Sequence, residues 1–222
     1  EELNEAFKKI DTRTPREKLN DLAADAGRLG ITGKQDILDF VDAANQINLA
    51  LGDDLGEDGV KNIGKLTQLF SEGRAMGLKN GMLATASVIN ELAQSSSASE
   101  PYLLEFTARL ASIGSTAKIA QSDLTAIAAV LDQGMVGVEK GATAMQNVLT
   151  AIYRRPAKMA KAAGLDVQKF TELVKNDANA ALLQFIGALK DARSLENIAP
   201  MLEEMKISGA GVPQTLATLA HG

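Results

Sequence analysis

The sequence predicts an all-α fold, a compact multi-helix bundle of about ten to twelve short helices joined by Gly, Ser and Pro turns. Three observations carry this. Ala, Leu, Lys, Glu and Gln abound while Trp and Cys are absent and aromatics reach only 4%, which leaves no run of the β-branched and aromatic residues that strands favour. Apolar residues recur at three- and four-residue spacing, the period of a helix buried on one side. Helix starts and stops are marked by caps, Pro and Gly in the expected order. At 222 residues the chain can bury a core without disulfides or a structural metal.

The elements follow in order. Thr14-Pro15-Arg16-Glu17 supplies a capping hydroxyl, Pro at the first helical position and Glu three residues after the cap. The helix it opens sets Leu19, Leu22, Ala23, Ala26 and Leu29 on one face and stops within Gly27 to Gly30, where glycine can take the left-handed conformation. Thr32-Gly33-Lys34-Gln35 opens a second helix, with Ile37, Phe40, Val41, Ala44 and Ile47 as its apolar stripe. A Gly/Asp turn over Gly52 to Gly59 precedes a shorter helix bearing Val60, Ile63, Leu66 and Phe70, and Gly73 and Gly77 mark another turn. A longer helix is expected over Lys79 to Gln94, then the serine run 95–99, then a start at Ser99-Glu100-Pro101. Leu103, Phe106, Leu110 and Ile113 form the next stripe, and Ser122 or Asp123 caps the helix after it. Short helices are expected near 138–153, 156–163, 166–176, 178–191, 194–205 and 213–220, punctuated by Gly164, Gly187, Gly209, Pro156, Pro200 and Pro213.

A helix, a glycine, a small capping residue and another helix recur at Gly30-Ile31-Thr32, Gly114-Ser115-Thr116 and Gly164-Leu165-Asp166. The spacing is unequal, so this indicates packed helix pairs and not a solenoid. The chain reads as one all-α segment, 1–222, with a subdivision into 1–98 and 99–222 at the serine run as the alternative. Glu1-Glu2-Leu3-Asn4 lacks an initiator Met and resembles the middle of a helix, so the segment is expected to belong to a longer protein. No apolar stretch is long enough to span a bilayer, and membrane contact from this segment is not expected.

Composition excludes several kinds of chemistry. The net charge of −5 opposes indiscriminate binding to phosphate backbones or anionic lipid. With no Cys, which fits a reducing compartment, and with His221 as the only His, next to the end, the usual zinc sites cannot be built. Gly52-Asp53-Asp54-Leu55-Gly56-Glu57-Asp58-Gly59 is the densest acidic cluster, yet it lacks the alternating ligands and closing Glu of a calcium loop; a solvated turn near a helix N-terminus accounts for it. There is no nucleophile elbow and no phosphate-binding glycine loop, and Asp132-Gln133-Gly134-Met135-Val136-Gly137 follows a helix, not a strand. No catalytic, cofactor-binding or metal-binding residue is therefore assigned, no cofactor is expected, and the chain is read as a non-enzyme.

Two further motifs carry a bland and a sharper reading. Ala26 to Gly30 and Ala160 to Gly164 share an Ala-x-x-x-Gly corner with helix-turn-helix proteins. The helix after Gly164, Leu165 to Leu173, has as much acid as base and no Arg, which suits a close helix corner better than base reading. Tyr153-Arg154-Arg155-Pro156 with Lys158 and Lys161 is the one basic cluster; it complements helix C-terminal carbonyls, with contact to an acidic partner or nucleic acid as the alternative. The scattered Met residues read as core filler.

Taken in order, these junctions resemble the core region of phage tail tape measure proteins of the lactococcal-phage type. The likeness begins near Leu22. It is clearest in Ile89 to Ala98, Phe106-Thr107-Ala108-Arg109-Leu110, Ser122-Asp123-Leu124 through Gly134, Glu139 to Ala144 with Leu149, Ala162-Ala163-Gly164-Leu165 with Phe170, and Ser208-Gly209-Ala210 before Leu216. The motifs are Ala, Gly and Leu at helix junctions, and their order over most of the chain carries the resemblance. It implies a phage or prophage gene product of the virion tail, present in the host bacterial cytoplasm during assembly. It further implies a part in tail assembly and length determination, with self-association and other tail proteins (tube, baseplate, assembly chaperones) as partners. Helix advances about 1.5 Å per residue, so helical protein can serve as a ruler, but the frequent Gly and Pro breaks describe a packed module. An intracellular helical adaptor or regulatory domain, and an enzyme with carboxylates assembled across helices, are the competing readings.

Overall fold

The computed structural model describes Glu5, Phe7, Ile10, Thr12 and residues 14–56, 58–190, 195–205, 207–209 and 211–221. Among the described residues every regular element is helical. The elements are α1 (Arg16–Arg28), α2 (Lys34–Leu51), a 3-10 turn (Gly52–Leu55), α3 (Gly59–Leu69), α4 (Ser71–Met76), α5 (Leu78–Ser95), α6 (Glu100–Thr116), α7 (Gln121–Gln133), α8 (Val138–Arg154), α9 (Pro156–Ala162), α10 (Val167–Asn176), α11 (Ala178–Leu189), α12 (Leu195–Met205) and α13 (Val212–His221). The all-α fold is thus as the composition and periodicity predict. Among the described residues thirteen α-helices stand where ten to twelve were expected, because α4 occupies the turn read around Gly73. The chain divides into two compact units, Glu1–Glu91 and Leu92–Gly222; the division falls inside α5, ahead of the serine run.

In the first unit α2 is the central element. Phe40, Val41, Ala43, Ala44 and Ile47 are buried along it, and α1 and α3 pack against it. Phe7, Leu19 and Val41 form a cluster that Ile10, Leu22 and Ile37 surround. Glycine here serves close approach. A Cβ on Gly64 would lie 2.9 Å from the Phe40 ring, and one on Gly73 would lie 2.5 Å from the Thr67 carbonyl oxygen. That is why Gly73 sits inside a helix and does not break one. Asp42 on α2 takes a salt bridge from Lys79 on α5 at 2.5 Å.

The second unit is organised by α6, α8 and α13. Helix α6 packs on α7 and α8, and α13 touches α7, α8, α11 and α12. Leu103, Leu104, Phe106 and Leu110 of α6 and Val148, Leu149 and Ile152 of α8 are buried. The serine run is an ordered joint: Ser96 Oγ donates to the Leu92 carbonyl at 2.6 Å, and Ala98 N donates to Ser96 Oγ at 3.1 Å.

Several expected caps are used differently. Thr14 Oγ1 donates to Asn45 Oδ1 at 2.5 Å, so it ties the chain before α1 to the buried Asn45 and does not cap α1, whose N-cap is Pro15. Ser99 is the N-cap of α6, but its N–H and hydroxyl go to Asp132 at 2.8 and 3.4 Å. Helix α7 starts from Ala120 rather than from Ser122 or Asp123, and Asp123 instead accepts from Asn179 Nδ2 at 2.6 Å. Side-chain caps do form at Asp166 and Asp177, which accept from Lys169 N and Ala180 N at 2.8 and 3.0 Å. These satisfy donors that a helix start leaves unpaired.

The recurring corner has one backbone solution. Ile31 N donates to Ala26 O, Ile119 N to Gly114 O, Val136 N to Leu131 O and Leu165 N to Ala160 O, at 2.8–3.0 Å. This six-to-one bond closes a Schellman ending, with the residue before the donor left-handed. Those residues are Gly30, Lys118, Met135 and Gly164. Gly114, read as a turn glycine, therefore lies inside α6, and the left-handed position falls at Lys118. Left-handed backbone costs a side-chain-bearing residue roughly 1 kcal/mol. Lys118→Gly and Met135→Gly are each expected to raise unfolding free energy by about 0.5–1 kcal/mol, read by denaturant titration; no gain at either position would contradict the assigned corner geometry.

Candidate functional site

Both tyrosines of the chain hold the corners that bracket α7. Tyr153 O–H donates to the Ala117 carbonyl at 3.1 Å, beside Lys118, and Tyr102 O–H donates to the Val136 carbonyl at 2.6 Å, beside Met135. The glycine-bearing turn after α7 is thus a latched helix joint. Burial, with the Asp132 charge adding to it, pushes the Tyr102 phenol up to about 12, and burial raises Tyr153 as well. Because each folded phenol ionises above its ordinary value near 10, its contribution to stability is complete below about pH 10 and is lost as pH rises through its folded value, about 12 for Tyr102. With no Trp to obscure the band, tyrosinate absorbance of the folded protein is expected to develop above the range of free tyrosine. In Tyr102→Phe the highest-pH component should vanish. Ordinary titration of both phenols would sink the latch.

The acidic turn is a surface feature. Leu55 is buried at its centre and Gly52 and Gly56 take left-handed backbone, so the turn is anchored by one apolar side chain while Asp54 and Asp58 are exposed. Asp58 pairs with Lys61 at 2.5 Å, and Lys61 approaches Asp25 at 3.9 Å. Lys61 holds the Asp58 carboxyl below its ordinary range. Glu57 lies outside the described residues. Among the described residues no three His, Cys, Asp or Glu side chains are grouped so as to hold a metal ion, and no helix is long and apolar enough to cross a membrane. His221 is exposed in the last turn of α13.

The basic cluster occupies a corner. Arg154 ends α8, Arg155 is the N-cap residue of α9, and Lys158 and Lys161 follow on α9. Arg154, Lys158 and Lys161 are exposed; Lys161 pairs with Glu204 of α12 at 3.4 Å. Arg154 and Arg155 line a cleft of about 520 Å³ with Asn147, Thr150, Ile207 and Ser208, across which Asn147 Nδ2 donates to the Ser208 carbonyl at 3.4 Å. The cluster was legible in the sequence. Its partner wall was not, since Ile207 and Ser208 lie more than fifty positions away and are brought in by α12 packing on α9.

The two helix-turn-helix-like corners, Ala26–Gly30 and Ala160–Gly164, are both Schellman endings. After the second, Phe170 and Val174 of α10 are buried, so the apolar face of that helix is spent on packing.

Among protein families, the model for phage-related minor tail proteins matches residues 2–205. No curated protein and no solved structure matches the chain.

Proposed function

The chain belongs to the phage-related minor tail protein family, and from that premise we propose that it is the core segment of a longer tape measure protein, encoded by a phage or prophage. As a member of that family it has a structural role in the tail. In the proposed role it helps to assemble the tail and to set its length, through helix faces packed on other copies or on tube, baseplate and chaperone proteins. It is made in the host cytoplasm, ends in the virion tail, and acts without catalysis or cofactor. The observation that carries the reading is a family match running through both helical units.

Helix breaks decide how the segment would act. A single helix of 131 residues, 92–222, would span roughly 200 Å, whereas in the second unit those residues are folded back on one another as eight helices and the end of a ninth among the described residues. The segment therefore serves as a packing module and not as the ruler itself. In-frame deletion of 92–222 in the phage is expected to abolish or scatter tail length, scored by electron microscopy. Uniform tails shortened in proportion to the deletion would contradict the packing module; tails of normal number and length would contradict the tape measure reading.

A further inference from the structure

The corner between α6 and α7 is closed by residues that do not favour it. Its left-handed position is Lys118, at φ 56°, and residues 115–122 contain neither glycine nor proline. The corners at Gly30 and Gly164 place glycine at that position, and Met135 lies between Gly134 and Gly137, which oppose a continuous helix there. The buried residues Leu110, Gly114, Ala117, Gln121, Leu124 and Ala128 recur at alternating spacings of four and three. That seam crosses the corner in the register of one unbroken helix. Side chains from later helices hold the corner shut. Tyr153 O–H of α8 donates to the Ala117 carbonyl at 3.1 Å, Ala120 N–H donates to Asn179 Oδ1 of α11 at 3.0 Å, and Ile119 is buried. In an unbroken helix the Ala117 carbonyl and the Ala120 N–H would bond within the helix, and Lys118 would be relieved of left-handed backbone.

We propose that this corner opens to join α6 and α7 as one helix, residues 100–133, about 50 Å long, and that two copies of the chain then exchange the parts on either side of it. Straightening carries α6 away from α7 and α8 of its own chain and uncovers Leu103, Phe106 and Leu110, all buried in the closed form. The α7 and α8 of a second copy cover them again. The occupant follows from identity, since another copy carries the same surface that α6 already fits. That fit includes the buried Thr107–Thr125 hydroxyl contact at 3.0 Å and the Tyr102 bond to the Val136 carbonyl at 2.6 Å, both of which re-form across the pair. Short hinges under strain invite such exchange. The exchange is reciprocal, so it closes at a dimer. It is a property of the corner and holds whether or not the chain lies in a tail.

Protein concentration during refolding tests this on the purified chain. Dilute refolding from urea is expected to return monomer, and concentrated refolding a dimer resolved by sedimentation velocity. Tyr153→Phe loosens the closed corner and is expected to raise the dimer yield about tenfold. Lys118→Gly relieves the corner and weakens the straight helix, and is expected to lower the yield about tenfold. The chain has no cysteine, so Thr107→Cys/Thr125→Cys reports which chain α6 packs on. Oxidised monomer should hold the new bond within one chain, and oxidised dimer should run as a covalent dimer on a denaturing gel without reductant. A fully oxidised dimer that separates on that gel would overturn the exchange. So would refolding to monomer alone at every concentration, or equal dimer yields from Tyr153→Phe and Lys118→Gly. Where the cysteine pair does not fold, the opposite shifts of the two single variants still decide.

Discussion

Gly73→Ala is expected to destabilise the first unit by about 2–3 kcal/mol, as overpacking of a closed contact does. A Cβ at this position meets the Thr67 oxygen at 2.5 Å, its Cα at 2.9 Å and its carbonyl carbon at 3.1 Å, all backbone atoms that cannot rotate away. The next element closes the same contact from the other side. A Cβ on Gly81 of α5 would lie 2.6 Å from the Gly73 carbonyl oxygen and 2.5 Å from Thr67 Cγ2. Relief by shifting α4 would therefore push it into α5. Gly27→Ala is the control, because nothing lies within 4 Å of a Cβ there; removing glycine's extra unfolded-state freedom should stabilise by roughly 0.5 kcal/mol. Urea unfolding of the three proteins settles it: equal midpoints for Gly73→Ala and Gly27→Ala would refute the close approach.

Leu216→Ala is expected to cost about 2–5 kcal/mol in the second unit, the range for emptying a core leucine site. The position matters because α13 lies beyond residue 205, where the family match ends. Yet this helix joins α7, α8, α11 and α12, with Val212, Leu216, Leu219 and Ala220 buried. One defect accompanies that burial. Thr215 is fully buried, and its hydroxyl has no hydrogen-bond partner among the described residues, which costs on the order of 1 kcal/mol. Thr215→Val, of similar shape, is therefore expected to raise stability by about 1 kcal/mol, the opposite sign from its neighbour. A Leu216→Ala loss near zero would show that α13 is not a core element, and a Thr215→Val loss would show that the Thr215 hydroxyl is hydrogen-bonded.

The helices were legible because their apolar spacing is regular: Phe40, Val41, Ala44 and Ile47 fall in the core of the first unit as the stripe on α2 predicts. Glycine misled where it packs instead of turning. Gly73 and Gly114 lie within helices; the left-handed turn after Gly73 falls on Gly77, whereas those that end α6 and α7 fall on Lys118 and Met135, residues with no such preference. Tertiary burial of Ile119 and Val136, each 1% exposed, fixes where those corners close. Capping was half legible. Asp166 caps as expected from the corner motif, whereas Thr14 and Ser99 are drawn to Asn45 and Asp132, partners about thirty positions away that local pattern does not reveal. The acidic turn and the basic cluster were both plain in the sequence as composition, but the cleft wall at Ile207 and Ser208 came only with the packing of α12 on α9.

The most direct measurement of the central claim is peptide mass spectrometry on tail particles purified from a lysate of the phage that encodes the chain. Peptides from both units, 1–91 and 92–222, are expected to co-purify with the tube proteins in a fixed ratio across independent preparations. Intact tails that contain neither set of peptides would contradict a structural role in the finished tail.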